Sequence, residues 1–163
     1  MDISQAVCSI AVVDPGSWSA DWAWGLPLIV LTVILHVLGL GLMAEKTLAI
    51  SGRMFERRHP TVVFVAVVGT ATLFATCLHA IEAGIWAAAY RLLGALSDDR
   101  SAMLYSLNAI TSYGHAALAL KDHWQLMGAL EALNGWLLFG LTTAFLFGMI
   151  ERVWTLVGKA GRH

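Results

Sequence analysis

The stretch Ser101-Ala-Met-Leu-Tyr-Ser-Leu-Asn-Ala-Ile-Thr-Ser-Tyr-Gly-His-Ala-Ala-Leu-Ala-Leu120 holds no Asp, Glu, Lys or Arg and is long enough to cross a bilayer. Its middle, from Asn108 to His115, is polar and turn-prone. Backbone that meets lipid at membrane depth must satisfy its own hydrogen bonds, and a Thr-Ser-Tyr-Gly-His run is an odd centre for a lipid-facing helix. The run fits a segment that enters the membrane as a helix, turns, and leaves as extended chain on the side it came from.

Three other uncharged stretches, residues 26–44, 61–81 and 132–150, are uniformly apolar. Each reaches across roughly 30 Å of hydrocarbon at about 1.5 Å per helical residue. The composition agrees, with 58% hydrophobic and 13% charged residues over 163 positions and a mean hydropathy of +0.71. A soluble domain of this size needs a more charged surface. The expectation is therefore an all-α membrane protein with three transmembrane helices plus a re-entrant helix and loop. The helices are expected near 25–50, 61–91, 98–110 and 127–154. Residues 1–24 form an extracytoplasmic N-terminal segment, and 155–163 a cytoplasmic tail. The start of the chain lacks the basic residues of a secretory leader. Cys8 and Cys77 have no metal-ligand spacing and suggest no disulfide framework. A net charge of −1, with no long basic run, gives no reason to expect nucleic acid.

The distribution of Lys and Arg distinguishes the topologies. Four full crossings divide the basic residues five against five. Three crossings plus a re-entrant loop place Lys46, Arg53, Arg57, Arg58, Arg152, Lys159 and Arg162 on one side, and only Arg91, Arg100 and Lys121 on the other. The second arrangement puts the N-terminus outside and the C-terminus in the cytoplasm of a multi-pass inner-membrane protein. Trp18, Trp22 and Trp24 before the first span, with Trp86 and Tyr90 closing the second, then fall where an outer aromatic belt belongs; Trp154 leaves the third on the inner side.

Ser97, Asp98 and Asp99 suit a helix start, a capping hydroxyl followed by acids at the positive helix end. A helix from there to about Ile110 would run on the order of 20 Å, its partly negative C-terminus favouring a cation. Rings of backbone carbonyls from several chains replace an ion's hydration shell in selectivity filters. The segment from Ala102 to His115 resembles the pore helix and filter of potassium channels, whose filter reads Thr-x-Gly-Tyr-Gly-Asp. The runs Trp124-Gln-Leu-Met-Gly-Ala-Leu-Glu-Ala-Leu-Asn-Gly135 and Leu138-Phe-Gly-Leu-Thr-Thr-Ala-Phe-Leu-Phe147 look like the inner helix of small bacterial proteins of that family. Ile34-Leu-His-Val-Leu-Gly39 and His79-Ala-Ile-Glu82 add further likeness. With Tyr113-Gly114 aligned on the family's Tyr-Gly, Ile110 stands at the filter threonine, Thr111 at the aliphatic position, Ser112 at the first glycine and His115 at the aspartate.

The resemblance implies a homotetramer in a lipid bilayer, passing a monovalent cation, K+ or Na+, through Ile110, Thr111, Ser112, Tyr113 and Gly114 with altered selectivity. His115 would sit at the outer mouth, where an imidazole titrates near pH ~6.5. Glu131 and Asn134 would support the filter, and Gly135 and Gly140 are candidate hinges, as is Gly148. His36, His79 and Glu82 are costly ionisable groups within spans, read either as a proton-sensitive gate or as structural hydrogen bonds. No cofactor, small-molecule substrate or enzymatic activity is expected, since no nucleophile–base pair or phosphate loop occurs. Two alternatives stand beside the pore: a non-conducting, channel-like structural or regulatory subunit, and a membrane redox protein with haem held by His36 and His79.

Overall fold

The computed structural model describes residues 15–55, 59–114 and 118–160, all helix, turn or loop. Four α-helices follow one another: α1 (Pro15–Phe55), α2 (Pro60–Leu92), the short α3 (Asp99–Ile110) and α4 (Gln125–Ala160). A 3-10 turn at Asp122–Trp124 leads into α4. Three helices contain apolar spans long enough to cross a membrane, Trp18–Thr47, Thr61–Leu92 and Gln125–Thr155. The chain has the make-up of a membrane protein.

α1 begins at Pro15 rather than near residue 25. Proline suits a first helical turn, where its missing N–H has no partner to lose, and α1 then continues through Pro27. α2 starts in the same manner, at Pro60 after His59, whose ring accepts from the Thr61 N–H. It ends at Leu92, and Gly94 just beyond its Leu93 cap has φ +66°. There the Ala95 N–H returns to the Tyr90 carbonyl and the Gly94 N–H to that of Arg91, a Schellman cap on the residue type best able to hold it. α3 is capped by Asp98, not by Ser97. The Asp98 carboxylate accepts from the Ser101 N–H at 2.8 Å, and this bond holds its carboxyl below the usual range.

The long helices form an up-down-up bundle. At one end Trp86, Tyr90, Met127 and Leu130 pack together with Ala20 and Leu28 of α1; at the other, Val63 and Val67 meet Met149 and Val153. α2 is therefore antiparallel to α4, and α1 runs alongside α4. Ala95 and Leu96, before α3, share the first cluster with Leu120 and Trp124, after it. The chain thus leaves α2 and joins α4 at the same end of the bundle, with α3 packed between those two helices and making no contact group with α1. Between the end clusters, Ile110 meets Ala83 and Leu138.

Trp86 and Tyr90 are not belt residues: both are fully buried. Trp18, Trp22, Trp24 and Trp154 are exposed, along with Leu26, Val30, Phe139 and Phe147. Apolar side chains on the outside and carboxylates within suit a surface solvated by hydrocarbon.

Candidate functional site

Two buried polar clusters and one exposed turn contain the residues singled out from the sequence. The first cluster fastens α3. Glu131 of α4 is wholly buried. Its Oε2 accepts from the Tyr90 hydroxyl at 2.6 Å, while its Oε1 meets the Ser106 hydroxyl of α3. Ser106 Oγ also lies 2.7 Å from the Ala83 carbonyl. One carboxylate thus joins α2, α3 and α4, with both oxygens satisfied. The expected supporting role of Glu131 has a geometric basis in these contacts. Asn134, expected beside it, turns the other way and donates from Nδ2 to Thr32 Oγ1 of α1 at 2.9 Å; its Oδ1 is unpartnered and buried.

Gly135 is a point of close approach. A β-carbon there would fall 1.9 Å from the Ile110 carbonyl oxygen, so the end of α3 rests directly on the α4 backbone. Gly140 and Gly148 have open space at the same test. The Gly135 contact fixes where α3 stops.

Residues 110–114 form the end of α3 and the turn that follows it. Ile110 is buried and its carbonyl lies against Gly135. The Tyr113 N–H bonds back to the Asn108 carbonyl and the Ser112 N–H to that of Ala109. This is the same Schellman pattern that ends α2, here with Ser112 in glycine's place at φ +54°. A left-handed non-glycine residue costs about 1–2 kcal/mol. Ser112 is held there by those two bonds and by the Trp136 indole, whose Nε1–H donates to Ser112 Oγ at 3.0 Å. Beyond it Tyr113 is 85% exposed and Gly114 has φ +91°. Thr111, Ser112, Tyr113 and Gly114 are all exposed. His115, expected at an outer mouth, lies outside the described residues.

The second cluster sits deeper along the bundle. His36 of α1 and Glu82 of α2 are fully buried, with His36 Nδ1 2.8 Å from Glu82 Oε1. His79, one turn before Glu82, places Nδ1 3.3 Å from Glu82 Oε2. That contact has the distance of an ion pair but not the angle of a hydrogen bond, and Oε2 has no hydrogen-bond partner. The Nε2 atoms of both rings converge on one hydroxyl of α4, Thr142 Oγ1, at 2.9 and 3.1 Å. The ring centroids are 5.0 Å apart, and the shared hydroxyl leaves no slot between them for a porphyrin. A cavity of about 420 Å³ opens beside His79 and is lined by Thr76, Thr111, Ser112, Trp136 and Phe139 among others. It joins this cluster to the exposed turn after α3.

The structure therefore brings His36, His79 and Glu82 together, and brings Glu131 to α3. Asn134 bonds to Thr32 of α1, and Ile110 is buried while Thr111 and Ser112 are exposed. Sequence reasoning gave no role to Thr142, Thr32 or Ser106, because a hydroxyl in an apolar helix carries no signal of its own. It took Tyr90 for a belt residue because its buried partner lies 41 positions away. No protein-family model, no curated protein and no solved structure matches the chain.

Proposed function

We propose that the chain is a pore-loop subunit of a small oligomeric cation channel of the potassium-channel type, with α3 as the re-entrant helix. The observation that carries this reading is α3 itself. It is a half-length helix that leaves and returns at one end of a three-helix bundle, is tied to α4 through a buried carboxylate, and is followed by four consecutive exposed residues. Such exposure suits a segment completed by other copies of the chain, since one chain supplies one loop and a closed ring needs several. The proposed path runs past Thr111, Ser112, Tyr113 and Gly114 and conducts a monovalent cation passively. Ile110 belongs to the packing behind it.

A second reading has its own support. The Schellman cap occupies the Asn108 and Ala109 carbonyls, and the Ile110 carbonyl packs against the backbone at Gly135. A turn closed in this way favours a channel-like subunit that does not conduct. Flux of K+, Na+ and protons through proteoliposomes separates the two. The pore reading expects cation flux, with Ser112→Gly shifting selectivity toward K+. No flux under any ionic condition, in wild type and Ser112→Gly alike, sinks the pore and leaves the subunit.

A further inference from the structure

We propose that His36, His79 and Glu82 form a binding site for one divalent transition-metal cation of the Zn2+ class at the junction of α1, α2 and α4. The inference rests on the second polar cluster alone and does not depend on the pore reading.

Counting protons exposes the site. The cluster is a closed loop of four groups: Glu82, His36, Thr142 and His79. With both imidazoles neutral and Glu82 ionised, His36, His79 and Thr142 supply one hydrogen each for four gaps. His36 Nδ1–H donates to Glu82 Oε1, the Thr142 hydroxyl donates to His36 Nε2, and His79 Nε2–H donates to Thr142. Nothing is left for the fourth gap. That gap is the long one, 3.3 Å between His79 Nδ1 and Glu82 Oε2, and Oε2 is the buried oxygen without a hydrogen-bond partner. In that state a nitrogen lone pair and a carboxylate oxygen face each other inside a membrane-spanning bundle, a gap that either a fourth proton or a cation closes.

A cation between them resolves the conflict. One ligand atom from each of His36, His79 and Glu82 can be chosen so that all lie within 4.8 Å of one another. In a tetrahedral site with bonds of roughly 2.0–2.1 Å, neighbouring donors stand about 3.3 Å apart. The nitrogen–oxygen distances of 2.8 and 3.3 Å come near this but run to the two different carboxylate oxygens, so the three ligand atoms, within 4.8 Å of one another, draw together around the ion. Both rings then carry their proton on Nε2 and donate to Thr142, whose own hydrogen turns aside, so no proton has to leave. A hydroxyl orienting the far side of metal-bound imidazoles is a common supporting arrangement. Two imidazoles and one carboxylate favour Zn2+, Co2+ or Ni2+ over Mg2+ and Ca2+, which take oxygen donors. His79 is 28% exposed and borders the cavity, which gives the ion a route in and leaves a fourth position for water.

The test uses the full chain, purified without an affinity tag, stripped by chelator and held in nanodiscs. Titration with Co2+ is expected to give the visible absorption of a low-coordinate ion at one equivalent per chain, displaced by Zn2+ and not by Mg2+. His79→Ala should weaken binding on the order of 100-fold or more. Glu82→Gln should abolish it while unfolding no earlier than metal-free wild type, because the new amide N–H fills the open gap toward His79 Nδ1. Absence of the absorption, or absorption that persists in both variants, overturns the proposal; the first outcome assigns the cluster to protons only and the second to histidines elsewhere.

Discussion

Glu131 and Glu82 are both fully buried carboxylates at three-helix junctions, yet their surroundings differ in one respect. Glu131 has a hydroxyl on each oxygen and nothing further to gain from a ligand. Glu82 has one hydrogen-bonded oxygen and one without a hydrogen-bond partner, 3.3 Å from His79 Nδ1. Burial alone therefore does not distinguish scaffold from site. What distinguishes them is whether each carboxylate oxygen has a hydroxyl or ring nitrogen as hydrogen-bond partner. By that criterion the Glu131 cluster reads as the fastening of α3, and the Glu82 cluster as the proposed cation site.

If the Glu131 cluster is scaffold, removing its centre has the largest effect in the molecule. Glu131→Ala strands the Tyr90 hydroxyl, at about 1–3 kcal/mol, and leaves a cavity that adds to the loss, read as loss of folded oligomer or of thermal stability in nanodiscs. Glu131→Gln should be milder, because Ser106 can donate to the Ala83 carbonyl while accepting from the amide. Gly135→Ala comes next, since its methyl meets backbone at Ile110; a loss of about 1–3 kcal/mol is expected, with Gly140→Ala near neutral. Equal effects from the two glycines would remove the close approach of α3 to α4 from the account. A smaller effect sharpens the contrast from the other side. In the absence of metal, Glu82→Gln should leave the melting temperature unchanged or slightly raised, and a fall as large as that from Glu131→Ala would make both clusters scaffold. The smallest change is expected at Asp98, whose carboxyl is held low by the Ser101 N–H. A lowered folded value means its contribution is present above the unfolded value near ~3.9 and is lost as pH falls through the folded one. Asp98→Ala should abolish that acid-limb dependence, read as faster amide exchange at the start of α3.

The spans were legible because charge-free runs of membrane length admit few alternatives, and α3 because acids precede a helix-compatible run that ends at a polar turn. The boundary of α1 was not legible: Pro15 reads as a breaker until the chain beyond it is seen to be helical. Ser112 misled for a related reason. Its alignment on a filter glycine calls for left-handed backbone, and its φ of +54° is left-handed, but nothing in that alignment shows that the hydrogen bonds of its neighbours make it a helix cap like Gly94. The glycine at 94 announces such a cap in sequence, and the serine at 112 does not. Within the site, His79 and Glu82 were paired by helical spacing, but His36 and Thr142 meet them from 46 and 63 residues away. No local pattern encodes those meetings.

Everything proposed for the turn after α3 requires residues 99 to 120 to return to the face of the membrane from which they entered. The direct measurement is labelling by an impermeant thiol reagent in sealed, oriented vesicles, with Arg100→Cys, Lys121→Cys and Glu151→Cys introduced one at a time into a chain whose Cys8 and Cys77 are serine. The account predicts that positions 100 and 121 react from one side and position 151 from the other. Reaction of 100 and 121 from opposite sides would contradict it.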